Sequence, residues 1–532
     1  MAEKFYITTP IYYVNDSPHI GHAYTTVAAD VLARYHRAMG RDVHFLTGTD
    51  ENASKVAAAA AERGVDPQQH CDEFVVHYRD LWRDLNIAYD GFIRTTEPRH
   101  RTRVQKIIRM LEERGQIYLG KYEGWYDQGQ EEFVTETAAR ENDYKSRISG
   151  KPLVRYAEPS YFFRLSQWTD KLLRHVEAHP EFIRPESRLN EVVSKVAAGV
   201  DDLSISRCTL SWGIEMPNDP DHRVYVWIDA LSNYITALGY PPVGDGEDGA
   251  RWKYWPADVQ LIGKDILWFH AVYWPCMLLA LGLPLPQTVF AHGWWTSEGK
   301  KMSKSLGNFI SREVIAEICA EYSRDVLRYF LLREVPFGLD GDFSREAVKG
   351  RYNAELANDV GNLLSRTVNM IGRYFEGRIP PTQQKVLPGS PEGLTRELAG
   401  EVENACIAGP LKRLQEGGPA AMADCQFSEY LRAVLALTTG ANRYIDATEP
   451  FRLAKDPAQR DRLGTILYTC AEVVRIVLSC LEPFMPEKAG EGLTQLGLSA
   501  VDPAALSERA RFGRLEPGTA VVKADVLFPR KQ

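Results

Sequence analysis

The 532 residues carry 63 Lys and Arg against 71 Asp and Glu, a net charge of −8 at pH 7, with 44% hydrophobic and 25% charged residues. This is the composition of a soluble globular protein, long enough for roughly two to four domains, and it excludes one coated in basic surface. A nucleic-acid partner is still allowed, because phosphate contact needs only a local basic face.

MAEKFYITTPIYY turns polar and Pro-containing before any sustained apolar run, so no N-terminal signal is read and a cytoplasmic location is expected. The most apolar segment, Ala271 to Pro286, is cut by Pro275 and falls short of the roughly 20 residues a spanning helix needs, which predicts a buried helix and no membrane association. The eight cysteines form no CxxC pair and no regular framework, as expected of buried thiols in a reducing compartment.

In chain order, Lys4 to Thr8 reads as a strand, Pro10 to His22 as a loop, and Tyr24 to Met39 as a helix. Asp42 to Thr49 is a second strand, ending at Asp50-Glu51-Asn52. Helices over Ala53 to Arg63 and Pro67 to Leu85 precede a third strand near Gly91 to Thr95, and a helix with a basic, solvated face runs from Glu97 to Arg114. Alternating strands and helices imply a doubly wound parallel sheet. From Gln116 to Arg223 short β-rich runs read as an insertion; Val224 to Trp227 and Val259 to Ile262 then resume the sheet as strands. A helix over Ile266 to Leu281 and a strand over Gln287 to Ala291 follow. Past Ser344 only helices are predicted, over Arg351 to Phe375, Pro391 to Gln415, Phe427 to Asp446 and Gln459 to Leu481, which indicates a bundle. Ala520 to Phe528 reads as a strand or an extended segment packed on the body.

Two stretches carry chemistry. His19-Ile20-Gly21-His22 stands where a helix begins beyond a strand end, a position that favours anions; its imidazoles are placed to reach phosphate oxygens and Gly21 lets a flat base lie on the backbone. Lys301-Met302-Ser303-Lys304-Ser305, between Gly299 and Gly307, reads as a mobile basic loop. Gly263-Lys264-Asp265 follows a strand, where Asp265 serves either a ribose or the start of the next helix. His175 and His179 lie on one helix face, but Pro180 follows and no third ligand is near, so they read as surface residues. Arg99, Arg101, Arg103, Lys106 and Arg109 form the basic run of the fourth helix, a nucleic-acid contact or, at least as readily, a solvated face.

The HIGH and KMSKS peptides in this order, with TTPIYYVNDSPHIGH, FLTGTDEN, VYVWIDALSNY, LIGKDILWFHAVYWP and AHGWWTSEGKKMSKSLGN around them, resemble class I aminoacyl-tRNA synthetases of the methionyl type from about Phe5 to about Met485. The resemblance implies a Rossmann-like catalytic domain in two halves, 1–115 and 224–298, with a connective peptide inserted at 116–223. A KMSKS region at 299–350, a helical anticodon-binding domain at 351–485 and a tail at 486–532 complete it. It implies methionine activation with ATP and Mg2+ and transfer to initiator and elongator methionine tRNA. Catalysis would fall to His19, His22, Lys301 and Lys304, with Gly21, Gly263, Lys264, Asp265, Trp295 and Lys304 binding ATP. Methionine would meet Asp50 through its ammonium group. Ile11, Tyr13, Trp227, Ala230, Leu231, Tyr234, Ile266, His270 and Trp274 would line the rest of its pocket. Asn362, Arg366 and Phe451 would read the anticodon, Phe451 standing where the family often has Trp. Many members hold the connective peptide with zinc; here Gly124 to Tyr161 contains neither Cys nor His, so no metal site and no structural zinc are expected. The longer members carry a C-terminal dimerising domain for which this chain ends too soon, so a monomer is expected.

Overall fold

A computed structural model describes residues 2–129, 132–134, 136–242, 249–297, 300, 301, 309–382, 401–500 and 502–532. The chain forms two units, Met1–Ala29 with Asp42–Gly293, and Asp30–Arg41 with Trp294–Gln532.

The first unit is built on a six-stranded parallel sheet. Its strands are β1 (Lys4–Tyr13), β2 (Asp42–Asp50), β3 (Gly91–Arg94), β4 (Ile183–Arg184), β5 (Val259–Gly263) and β6 (Thr288–His292), in the order β3-β2-β1-β5-β6-β4. Reversal of strand order between β1 and β5 is the switch point at which open α/β sheets bind ligands. Helices α1 (Ile20–Ala38), α2 (Ser54–Arg63), α3 (Pro67–Asp84) and α4 (Pro98–Glu113) connect the first strands. Gly64, at φ 67°, ends α2 in the left-handed conformation a glycine tolerates.

Several expectations are corrected. β1 continues through Tyr13, with a register irregularity between Thr8 and Ile11 that accommodates Pro10. α1 starts at Ile20, so the HIGH peptide forms its first turn. The run Val224 to Trp227 is not a sheet strand: Val224 closes a small antiparallel sheet, and Val226–Thr236 is a helix, α5, buried along its whole length. The segment Ile266 to Leu281 is not one regular helix. A tight turn at Lys264–Ile266 and a wide π turn at Phe269–Tyr273 precede the α-helical Trp274–Ala280; Pro275, lacking an N–H, falls where the regular ladder restarts.

The stretch read as an insertion is part β and part α. Ile117–Asp127, Glu132–Val134, Val154–Phe163 and Leu203–Ser204 form a four-stranded sheet. Helices Thr169–Ala178 and Glu186–Ala197 flank β4, which joins the main sheet through β6. The α4 basic run is solvated only in part, at the exposed Arg99 and Arg109. Arg103 is buried, Arg101 donates to Gly213 O at 2.9 Å, and Lys106 donates to Pro242 O at 2.6 Å.

In the second unit Trp295–Ser297, Lys300–Lys301 and Gly341–Phe343 make a small sheet, and most of the other described residues up to Gln495 are helical. Helices α6 (Asn362–Tyr374) and α7 (Phe427–Thr448) belong to this bundle; the first part of the helix expected from Pro391 lies outside the described residues. Among the described residues one helix, Pro457–Leu481, is long and apolar enough to cross a membrane, and 94% of its apolar window is buried within the protein. The tail holds helices Pro486–Gln495 and Leu506–Arg509, and its last stretch is extended, anchored by buried Leu527 and Phe528.

Candidate active site

The HIGH peptide closes on itself as a capping box made of histidines. His19 precedes the first helical residue; its Nδ1 accepts the Gly21 N–H at 3.0 Å, and the Nδ1 of His22, at the third helical position, accepts the His19 N–H at 3.1 Å. Serine and glutamate usually make this exchange. Because each Nδ1 accepts a backbone proton, the neutral rings carry theirs on Nε2. Burial and the neighbouring His19 hold the His22 pKa well below the ordinary imidazole value. Gly21 is required by the same geometry, since a Cβ there would lie 2.9 Å from the His19 ring. Below the box, Tyr78 donates to Tyr13 O at 2.8 Å and His70 Nε2 donates to Val14 O at 2.9 Å, fixing the exit of β1.

Across the switch point, β5 ends at Gly263. A Cβ on that residue would stand 2.4 Å from Asp265 Oδ1, so glycine lets the exposed Asp265 carboxylate fold back over the strand end. Beside it His292 donates from Nδ1 to Gly293 O at 2.8 Å, and its Nε2 then accepts from the Thr25 hydroxyl at 2.7 Å, tying α1 to β6.

The residues expected to take the amino acid gather in this unit. Asp50, at the end of β2, is buried to 2% exposure beside Tyr13, its register partner on β1. Lys55 Nζ sits 3.8 Å from the centre of the Tyr13 ring. From α5 come Trp227, Ala230, Leu231 and Tyr234, all buried. Trp227 stacks on Phe269 at 3.8 Å and stands edge-on to His270 at 6.1 Å. His270 Nδ1 donates to Ile266 O at 3.0 Å, so its Nε2 accepts from the Tyr234 hydroxyl at 2.7 Å, and burial lowers its pKa to about 4. Trp274, at 0% exposure, packs behind Tyr234 and against Trp255.

A family model described as tRNA synthetases class I (M) matches residues 5–142 and 139–368. The methionine–tRNA ligase of Caldanaerobacter subterraneus subsp. tengcongensis is 49% identical over 530 residues, 100% of this chain and 79% of the relative. The chain belongs to the class I methionyl-tRNA synthetases. The Listeria monocytogenes (serovar 1/2a) methionine–tRNA ligase is 45% identical, covering 99% of this chain and 78% of the relative. Among solved structures, the Mycobacterium tuberculosis methionyl-tRNA synthetase in complex with methionyl-adenylate superposes with TM-score 0.90 at 40% identity, over 99% of this chain and 100% of that one. Its apo form gives 0.83 at 38% identity, over 100% and 99%.

Lys304 lies outside the described residues, and Lys301 is described only as backbone in the small sheet. Trp295 is buried in the core of that sheet against Phe330 and Phe343. In the bundle, Asn362 and Arg366 of α6 face α7, Asn362 towards Asn442 at 3.4 Å and Arg366 paired with Asp446 at 2.7 Å. Phe451 is 47% exposed. Sequence reasoning missed Thr25 and His292, and it missed Trp212, whose Nε1 donates to Glu51 O at 2.7 Å beside Asp50. His292 lies within AHGWWTSEGKKMSKSLGN, although no role is read for it there, whereas Thr25 and Trp212 stand in no recognisable local motif.

Proposed function

We propose that this chain activates L-methionine with ATP and charges methionine tRNA, with the residues named above as its machinery. The methionine carboxylate attacks the α-phosphorus of ATP, the bond to the β-phosphate oxygen breaks, and pyrophosphate leaves methionyl-adenylate. A ribose hydroxyl of the 3′-terminal adenosine of tRNA then attacks the activated carbonyl and releases AMP. In such displacements charge builds on phosphate oxygens, so catalysis is mainly positioning and positive electrostatics. His19 and His22 offer Nε2–H donors there, Lys301 and Lys304 supply charge, and Asp265 holds the ribose. Asp50 takes the ammonium group, and the thioether lies among the aromatic edges of Tyr234, His270 and Trp227, where sulfur gains from polarizable contacts.

Mg2+ enters with the substrate: bound to the triphosphate, it needs few protein ligands. Initiator and elongator methionine tRNAs would be read by Asn362, Arg366 and Phe451, a proposal supported by the exposed Phe451 ring, which is open to base stacking. A cytoplasmic monomer without structural zinc completes the reading. The cytoplasmic location is supported by eight cysteines that form no disulfide, and the reading without zinc by the stretch Gly124 to Tyr161, which holds neither Cys nor His.

The observation that carries the reading is the histidine capping box at the start of α1, which places two imidazoles at a helix N-terminus beside the switch point. Incubation with ATP, labelled methionine and a methionine-tRNA transcript should load the tRNA, and periodate oxidation of its 3′ ribose should abolish loading. Equal label on oxidised and intact tRNA would overturn it.

A further inference from the structure

One buried polar chain in the first unit has no part in the chemistry above. His100, near the start of α4 and at 0% exposure, donates from Nε2 to Asp229 Oδ1 at 2.5 Å; its Nδ1 meets the Thr236 hydroxyl at 2.7 Å. Asp229 and Thr236 stand near opposite ends of α5, so a single imidazole grips that helix twice. The second oxygen of Asp229 accepts from Asn52 Nδ2 at 2.7 Å, and the same amide donates to Thr95 O at 3.1 Å. Asn52 follows Asp50 by two residues, and the intervening Glu51 N–H donates to the Thr95 hydroxyl at 2.8 Å. The chain of bonds therefore runs from α4 through α5 to the corner at the end of β2.

A carboxylate at 1% exposure is a costly way to pack a helix, since an apolar side chain of similar volume would often serve stability as well. What an apolar residue cannot supply is direction. The Asp229 carboxylate fixes both the rotation of α5 and its distance from Asn52. Trp227, Ala230, Leu231 and Tyr234, the side chains offered to the thioether, ride on that helix, while Asp50, offered to the ammonium group, rides on the corner. Methionine spans the two. Its affinity depends on their spacing, whereas the ATP elements at Gly21 and Gly263 take no part in the chain of bonds.

We propose that His100 is a positioning residue for methionine recognition: through Asp229 and Asn52 it holds the thioether-binding face of α5 in register with the ammonium-binding corner at Asp50. This rests on the function proposed above.

The test is steady-state pyrophosphate exchange by the full chain, normalised to active sites by the burst of adenylate formation. His100→Phe keeps a ring but loses the donor. It should raise the KM for methionine about tenfold, the scale of one hydrogen bond to a charged group, with the KM for ATP within about twofold of the unsubstituted enzyme. His100→Gln, whose amide can donate to Asp229, should recover most of that loss. Should His100→Phe not fold, Thr236→Val removes only the second grip and should raise the methionine KM about threefold, again without moving that of ATP. A merely structural role would lower thermal stability or the active fraction and leave the methionine KM of the active enzyme where it was. That result, or a proportional rise in both KM values, would overturn the proposal. Absence of methionine-dependent exchange in the unsubstituted chain would instead overturn the function on which the inference rests, and the inference with it.

Discussion

The backbone N–H of His19 donates to Nδ1 of His22 at 3.1 Å, so the residue that caps α1 is held by a side chain in the helix's first turn. His22 thereby has two separable duties, closing a helix cap and offering Nε2–H to phosphate. His22→Ala should slow adenylation by roughly 10², the usual loss for one such donor, and cost about 1 kcal/mol of stability through the lost cap. His22→Gln restores an ordinary capping-box acceptor and should recover the stability but not the rate. Denaturant midpoints and single-turnover rates on the two variants check this; full recovery of rate by Gln would remove His22 from the phosphate site.

Gly263→Ala tests the strand end. The new Cβ would fall 2.4 Å from Asp265 Oδ1 and push the carboxylate off the position proposed for the ribose. Loss of a hydrogen bond to a charged group is worth roughly 1.5 to 3 kcal/mol, so the KM for ATP should rise by roughly ten- to a hundredfold. The KM for methionine should change little. An unchanged ATP KM would detach Asp265 from nucleotide binding.

His270 gives a pH prediction. Its pKa is lowered to about 4 by burial, against about 6.5 in an unfolded chain. Between those values the unfolded state binds a proton that the native state refuses, so this group's contribution is complete above about pH 6.5 and is lost as pH falls towards 4. The wild-type chain should lose about 2 kcal/mol more than His270→Gln between pH 7 and pH 5 in urea titrations. Equal losses would mean that the ring ionises freely in place.

Arg366→Ala addresses the bundle. The Arg366–Asp446 pair is partly exposed, and such pairs contribute at most about 1 kcal/mol, so the variant should remain folded. Charging of tRNA should fall at least tenfold, a single base-edge contact being worth roughly 1 to 3 kcal/mol, while tRNA-independent pyrophosphate exchange stays at the wild-type level. Parallel loss in both assays would assign Arg366 to folding.

What the sequence made legible was local. HIGH, Gly-Lys-Asp, the corner after β2 and most of the opening α/β alternation are written in consecutive residues, and they stand in the structure at the strand ends where the pattern put them. The sequence reads Val224 to Trp227 as a strand and misses the helix α5 that begins within it, because every side chain of α5 is buried and no polar face reveals the helical period in VYVWIDALSNY. Arg103 was read as solvated because composition alone does not show that a basic helix face is covered. The link among His100, Asp229 and Asn52 joins residues 129 and 177 positions apart; Asn52 and Asp229 stand in quoted stretches, but nothing local shows that they meet, and nothing local marks His100. The strand Ile183–Arg184, only two residues long, is visible only through its pairing with β6.

Amino-acid-dependent ATP–pyrophosphate exchange, run with all twenty amino acids and no tRNA, tests the central claim most directly, because it reports both activation and specificity. The account predicts exchange with methionine at a rate far above the other nineteen, dependent on Lys304 and His22. Exchange driven by another amino acid in preference to methionine, or by none, would contradict it.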